Sequence, residues 1–126
     1  MNISVSLAKE YVPEFNGNRE LPALEQIRIS HKAPSLKIKE NIFPKKYQYD
    51  ANGEMHGSFE LDRPGMLKNF IIAIKNLSWD DEGVSYSVKT VEELLKAPPA
   101  FEPLLDELYS YFQDLLNGSV NEKNSE

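Results

Sequence analysis

The chain has no cysteine, one tryptophan and two histidines among its 126 residues. Without cysteine there is no disulfide framework, no thiolate metal site and no cysteine nucleophile. That fits a reducing compartment. No apolar run approaches the roughly 18–20 residues needed to span a bilayer. The start, Met1-Asn2-Ile3-Ser4-Val5-Ser6-Leu7, lacks the basic stretch and long apolar segment of a secretory signal. The expectation is a cytosolic protein with no membrane partner. A phosphate loop, a G-x-S-x-G elbow and a dinucleotide fingerprint are missing too.

Positive charge is scarce in the second half. Residues 1–79 carry 11 Lys/Arg against 9 Asp/Glu, net +2, and residues 80–126 carry 3 against 11, net −8. The whole chain is −6 at pH 7. An acidic half is a poor nucleic-acid binder, because phosphate contacts need clustered Lys and Arg. Lys45-Lys46 with Tyr47 and Tyr49 is too short and isolated to reverse that. The acidic half suits solubility or a basic partner.

The titratable residues form no catalytic or metal pattern. His31 and His56 have no metal-type spacing to other ligands. Reading Asp80-Asp81-Glu82-Gly83 as a calcium loop puts Ser78 first and Lys89 at the place of the bidentate Glu, so the pattern fails. The carboxylate pairs Glu92/Glu93 and Asp106/Glu107 lack the surroundings of tuned acid–base groups and read as solvated faces. No catalytic, cofactor or metal residue is assigned, and the expectation is a protein that is not an enzyme.

The length fits one domain, taken as 1–118, with a polar disordered tail at 119–126. Ile3–Leu7 and Gln26–Ser30 alternate apolar and polar residues and predict short strands. Pro13, Asn16-Gly17-Asn18 and Pro22 make 11–24 a loop. Residues 36–43 fit either a strand or a helical turn, ended by Pro44. Asn52-Gly53 predicts a hairpin from Tyr47 to Met55 and beyond. Asp62 and Pro64 are start signals for a helix, and Met66/Leu67, Phe70/Ile71, Ile74 and Leu77 continue at helical spacing. Ile71, Ile72 and Ile74 leave a strand open, but the spacing favours a helix over 62–77. Residues 78–83 read as a turn and Val84–Val88 as an extended segment. Thr90-Val91-Glu92-Glu93 has the form of a capping box for a helix over 91–96. A last helix covers about 100–116, contains no Lys or Arg, and closes at Asn117-Gly118. Leu104, Leu108 and Leu115 supply a core stripe on it, and Leu105, Tyr109, Phe112 and Leu116 an adjacent one. The fold class is α+β: short N-terminal strands and a hairpin, then a C-terminal group of three amphipathic helices.

The order of features from the apolar segment ending at Trp79, through the Gly83 turn, Val84–Val88, Thr90-Val-Glu-Glu-Leu-Leu95 and Pro98-Pro99, to Phe101–Leu116 resembles the tail assembly chaperones of long-tailed bacteriophages. Pro22–Ser30 resembles the front of such proteins. The resemblance covers residues 66–116 best. Residues 44–61 match nothing in the family. It implies a non-enzymatic role in the host cytoplasm: binding the tape measure protein, keeping its apolar helices soluble, and recruiting tail tube subunits. It also implies homo-oligomers or open apolar surface. Phe70, Ile74, Trp79, Leu105, Tyr109, Phe112 and Leu116 are the partner-binding candidates, on stripes over 66–77 and 100–116 that would line a client groove. The alternative is another phage-encoded binding module, either a tail completion or structural component or an acidic inhibitor of a host protein.

Overall fold

The computed structural model describes residues 8–42, 45–49, 51–59 and 62–118. The strand expected at Ile3–Leu7 and the tail 119–126 lie outside them. The elements run β1 (Ala8–Tyr11), a 3-10 turn (Phe15–Glu20), β2 (Arg28–Lys32), α1 (Leu36–Ile42), β3 (Lys45–Tyr49), β4 (Met55–Phe59), α2 (Arg63–Phe70), β5 (Ile71–Lys75), β6 (Ser78–Asp81), β7 (Val84–Ser87), α3 (Val91–Leu95), a second 3-10 turn (Pro99–Phe101) and α4 (Glu102–Leu116). The mixed α+β class is as expected.

β1, β2 and β5 form an antiparallel three-stranded sheet with β2 in the middle. β3 and β4 pair as a hairpin, Tyr49 opposite Met55, with Gly53 at φ +81° in the connection. This is the hairpin that Asn52-Gly53 predicts. The ambiguous segment 36–43 is helical over Leu36–Ile42, and the Ser35 hydroxyl accepts from the Ile38 amide at 3.2 Å.

Ile29 and His31 point from β2 into the core, where α2 and α4 cover them. The α4 core stripe is Leu104, Leu108, Phe112 and Leu116, one residue every four. Leu115, expected on that stripe, is half-buried at its flank. Thr90 caps α3, its hydroxyl accepting from the Glu93 amide at 3.2 Å, as the capping box predicts. Gly118 closes α4 at φ +70°, its amide donating to the Leu115 carbonyl.

Two expectations are corrected. The helix predicted over 62–77 stops at Phe70, and Ile71 turns extended at φ −76°, ψ 127°. The β register then steps from Ser30↔Ala73 to His31↔Ile71, so Ile72 is an extra residue on β5. This bulge sends Ile71 and Ile74 inward three residues apart and leaves Ile72 exposed. A three-residue inward step followed by Leu77 imitates helical spacing. The turn predicted at 78–83 is shorter as well: Ser78–Asp81 is a strand, and only Glu82-Gly83 turns, at φ +49° and +83°. Positive φ at both central residues is the twist-compatible two-residue hairpin turn.

Candidate functional site

The open surface is built where β5 meets the loop before β2. Pro22–Gln26 is held almost wholly by polar bonds. The Gln26 side-chain amide donates to the carbonyls of Arg19 (3.1 Å) and Leu21 (3.0 Å). Arg28 Nε donates to the Ala23 carbonyl, and its Nη1 pairs with Glu10 at 2.5 Å. Beneath the loop, Asn18 is 2 % exposed, donates to the carbonyls of Pro13 and Ile27, and accepts from the Ile27 amide at 2.6 Å. From the other side, Asn76 adopts φ +62° just after β5, and its Nδ2 donates to the Leu24 and Gln26 carbonyls, both at 2.9 Å. Asparagine tolerates this left-handed conformation better than most residues.

Because the loop is anchored through its backbone, its apolar side chains are left outside. Leu24 is 92 % exposed and Leu21 is 45 % exposed. Leu24 and Glu25 form one wall of an open groove of about 780 Å³. The groove is also lined by the buried Ile74, Leu77 and Val88, with Lys75 and Lys89 along it. Ser78 and Ser87 complete the lining from one face of the β6–β7 hairpin. Chemically this is an apolar floor with mixed charges and two hydroxyls. Among the described residues no group of three His, Asp or Glu side chains gathers to hold a metal ion, and no helix is long and apolar enough to cross a membrane.

The seven partner-binding candidates do not share one surface. Phe70, Phe112 and Leu116 are core residues, and Phe70 stacks on Phe112. The α2 part of the first stripe therefore faces the α4 stripe, while Ile74 and Leu77, further along the first stripe, line the Leu24 groove. Ile74 is 4 % exposed and lies on the floor of the Leu24 groove. Leu105 is half-buried at the flank of α4. Tyr109 is half-buried, with the Arg63 guanidinium 5.6 Å from its ring, and burial pushes its pKa up. Trp79 sits on β6 and stacks against Tyr86 of β7 at 4.3 Å. Leu24, Val88 and Tyr86 are not among the seven candidates. Leu24 belongs to no periodic pattern, so nothing flags it. Tyr86 is legible as the residue facing Trp79 only across a two-residue Glu82-Gly83 turn.

A second polar assembly lies between β1 and α4. The Glu107 carboxylate accepts from the Tyr11 hydroxyl at 2.5 Å and from the amides of Glu14 (2.8 Å) and Phe15 (3.1 Å). It thereby caps the first 3-10 turn from another part of the chain. Burial, then the hydrogen bond and charge of Glu107, push the Tyr11 pKa far above the ordinary tyrosine value, with Arg19 working against them. Tyr11 stacks on Tyr111 at 3.9 Å. The buried His31 reaches the Lys32 carbonyl with Nδ1 (2.9 Å) and the Tyr111 hydroxyl with Nε2 (3.0 Å). A carbonyl only accepts, so Nδ1 carries a proton, and in the neutral ring Nε2 accepts from Tyr111. Every group here is engaged within the fold, which makes it a structural latch.

No family model matches the sequence, and comparison with curated proteins and with solved structures yields no match.

Proposed function

We propose that this chain is a non-enzymatic assembly chaperone of the phage tail type, which seats an apolar segment of the tape measure protein in the groove beside Leu24 and helps recruit tail tube subunits. Leu24 carries the reading: a leucine 92 % exposed, at an open groove that Ile74, Leu77 and Val88 also line. Apolar side chains fixed outward by backbone anchoring, beside an open apolar groove, are the surface that an amphipathic client helix covers. The order of features from Trp79 to Leu116 supports the tail setting. The client seat differs from the one the sequence stripes suggest, since of their residues only Ile74 and Leu77 line this groove. The inhibitor alternative has less support. Glu102, Asp106 and Asp114 are exposed on α4, but Glu107 is turned inward to Tyr11, which interrupts a phosphate-like row.

The test is co-expression of the tagged protein with the genes beside its own, for wild type and Leu24→Asp. Recovery of a long helical tape measure protein by wild type, lost in Leu24→Asp at unchanged stability, is the expected result. Recovery of a host nuclease instead, or of the tape measure protein equally by both variants, overturns the reading or its seat.

A further inference from the structure

The β6–β7 hairpin has two unlike faces. Ser78 pairs with Ser87 and Asp80 with Ser85 on one, while Trp79 pairs with Tyr86 and Asp81 with Val84 on the other. The serine face lines the Leu24 groove through Ser78 and Ser87. The aromatic face is turned away from that groove. On it Trp79 leans on the core, and Tyr86 lies over Trp79 with ring planes 17° apart. Tyr86 remains 43 % exposed and Val84 52 % exposed. All four β7 residues are exposed.

Charge decides what such a face takes. Asp80 is bonded to the Ser85 hydroxyl on the opposite face. The Asp81 and Glu82 carboxylates have no ion pair or side-chain hydrogen bond among the described residues, and both are exposed. Asp81 shares the Trp79/Tyr86 face, two register pairs nearer the tip. The platform thus offers an aromatic ring face and, next to it, an unengaged carboxylate. A guanidinium satisfies both at once, by stacking its plane on tyrosine and forking two N–H groups onto the carboxylate. An ammonium matches only the charge.

We propose that the Trp79–Tyr86–Asp81 face of this hairpin is a docking surface for an arginine-bearing segment of a protein partner. It is separate from the Leu24 groove, so either can fail without the other.

Trp79 is the one tryptophan in the chain, and its fluorescence reports on the platform directly. The full chain is titrated with the peptides Gly-Arg-Gly-Arg-Gly and Gly-Lys-Gly-Lys-Gly at low and high salt. The arginine peptide is expected to change Trp79 emission saturably, to bind about ten-fold more tightly than its lysine twin, and to weaken as salt screens the pair. Asp81→Asn leaves the aromatic pair in place and is expected to weaken binding by about ten-fold. Tyr86→Leu should abolish the arginine preference; if that hairpin loosens, Asp81→Asn decides alone. Equal binding of both peptides, no saturable response, or an Asp81→Asn titration identical to wild type each overturns the proposal.

Discussion

Phe70 of α2 and Phe112 of α4 stack with ring centroids 4.8 Å apart and planes 10° apart. Both are fully buried, so these residues are each other's partners. Such a pair adds about 0.5–1.5 kcal/mol beyond the area it buries. Phe112→Ala is expected to destabilise the protein by about 3–5 kcal/mol through the cavity it leaves. Leu105→Ala, at the half-buried flank, should cost clearly less. Urea unfolding of the two variants checks this; equal losses would mean that the α4 stripe is misassigned.

Asn76 should behave as two devices in one residue. It occupies a left-handed conformation that glycine adopts freely, and its side chain ties down the 22–26 loop. Asn76→Gly is expected to keep the backbone path while losing the tether. Asn76→Ala loses the tether and adds left-handed strain of about 1 kcal/mol. Amide exchange at Glu25 and Gln26 should accelerate in both variants, and Asn76→Ala should be the less stable of the two. The reverse order would show that conformation at 76 is not the constraint.

The parts of the fold legible in the sequence have short-range causes. Asn52-Gly53, the Thr90 cap and the α4 stripe act within a few residues, and each predicts its element. Ile71 to Leu77 mislead because a bulge at Ile72 converts the two-residue alternation of a strand into a three-residue step. That bulge exists only in the register with β2, some forty residues earlier. Trp79 illustrates the same limit: its neighbour on the sheet, Tyr86, becomes visible only once the turn is narrowed to two residues. The candidate surface is the least legible part. Leu24 is exposed because its loop is held by Asn76, Gln26 and Arg28 through backbone carbonyls, and no local pattern encodes that.

Gly65 is set by space rather than by backbone conformation. A Cβ there would lie 2.4 Å from Asp62 Oδ2 and 2.7 Å from its Cγ. Asp62 Oδ1 accepts from the Gly65 amide at 3.0 Å and caps α2. Alanine favours a helix by up to about 1 kcal/mol over glycine, and a lost cap costs about the same. Gly65→Ala is therefore expected to be neutral or destabilising in wild type, yet stabilising in an Asp62→Ala background. Thermal unfolding of the four combinations measures this, and the same sign in both backgrounds would exclude the steric account.

The Tyr11–Glu107 bond predicts an alkaline limit to stability. In the unfolded chain Tyr11 titrates at about pH 10. In the folded protein its pKa is raised by burial, then by the Glu107 hydrogen bond and charge. Below about pH 10 both states hold the proton, and the contribution is fully present. Above it the unfolded chain releases the proton while the folded state keeps it, so stability falls as pH rises. Tyr109 is raised too, chiefly by burial, and adds a loss of the same sign. Glu107→Gln removes the charge beside Tyr11 but leaves Tyr109 untouched. It is expected to be less stable than wild type at pH 7, because the amides of Glu14 and Phe15 lose a charged acceptor. Tyr11→Phe removes the titrating group and is expected to lose stability less steeply than wild type above about pH 10. Urea unfolding between about pH 8 and 11, with ultraviolet absorbance to follow tyrosinate, measures both. An alkaline slope in Tyr11→Phe as steep as in wild type would rule out Tyr11 as its origin.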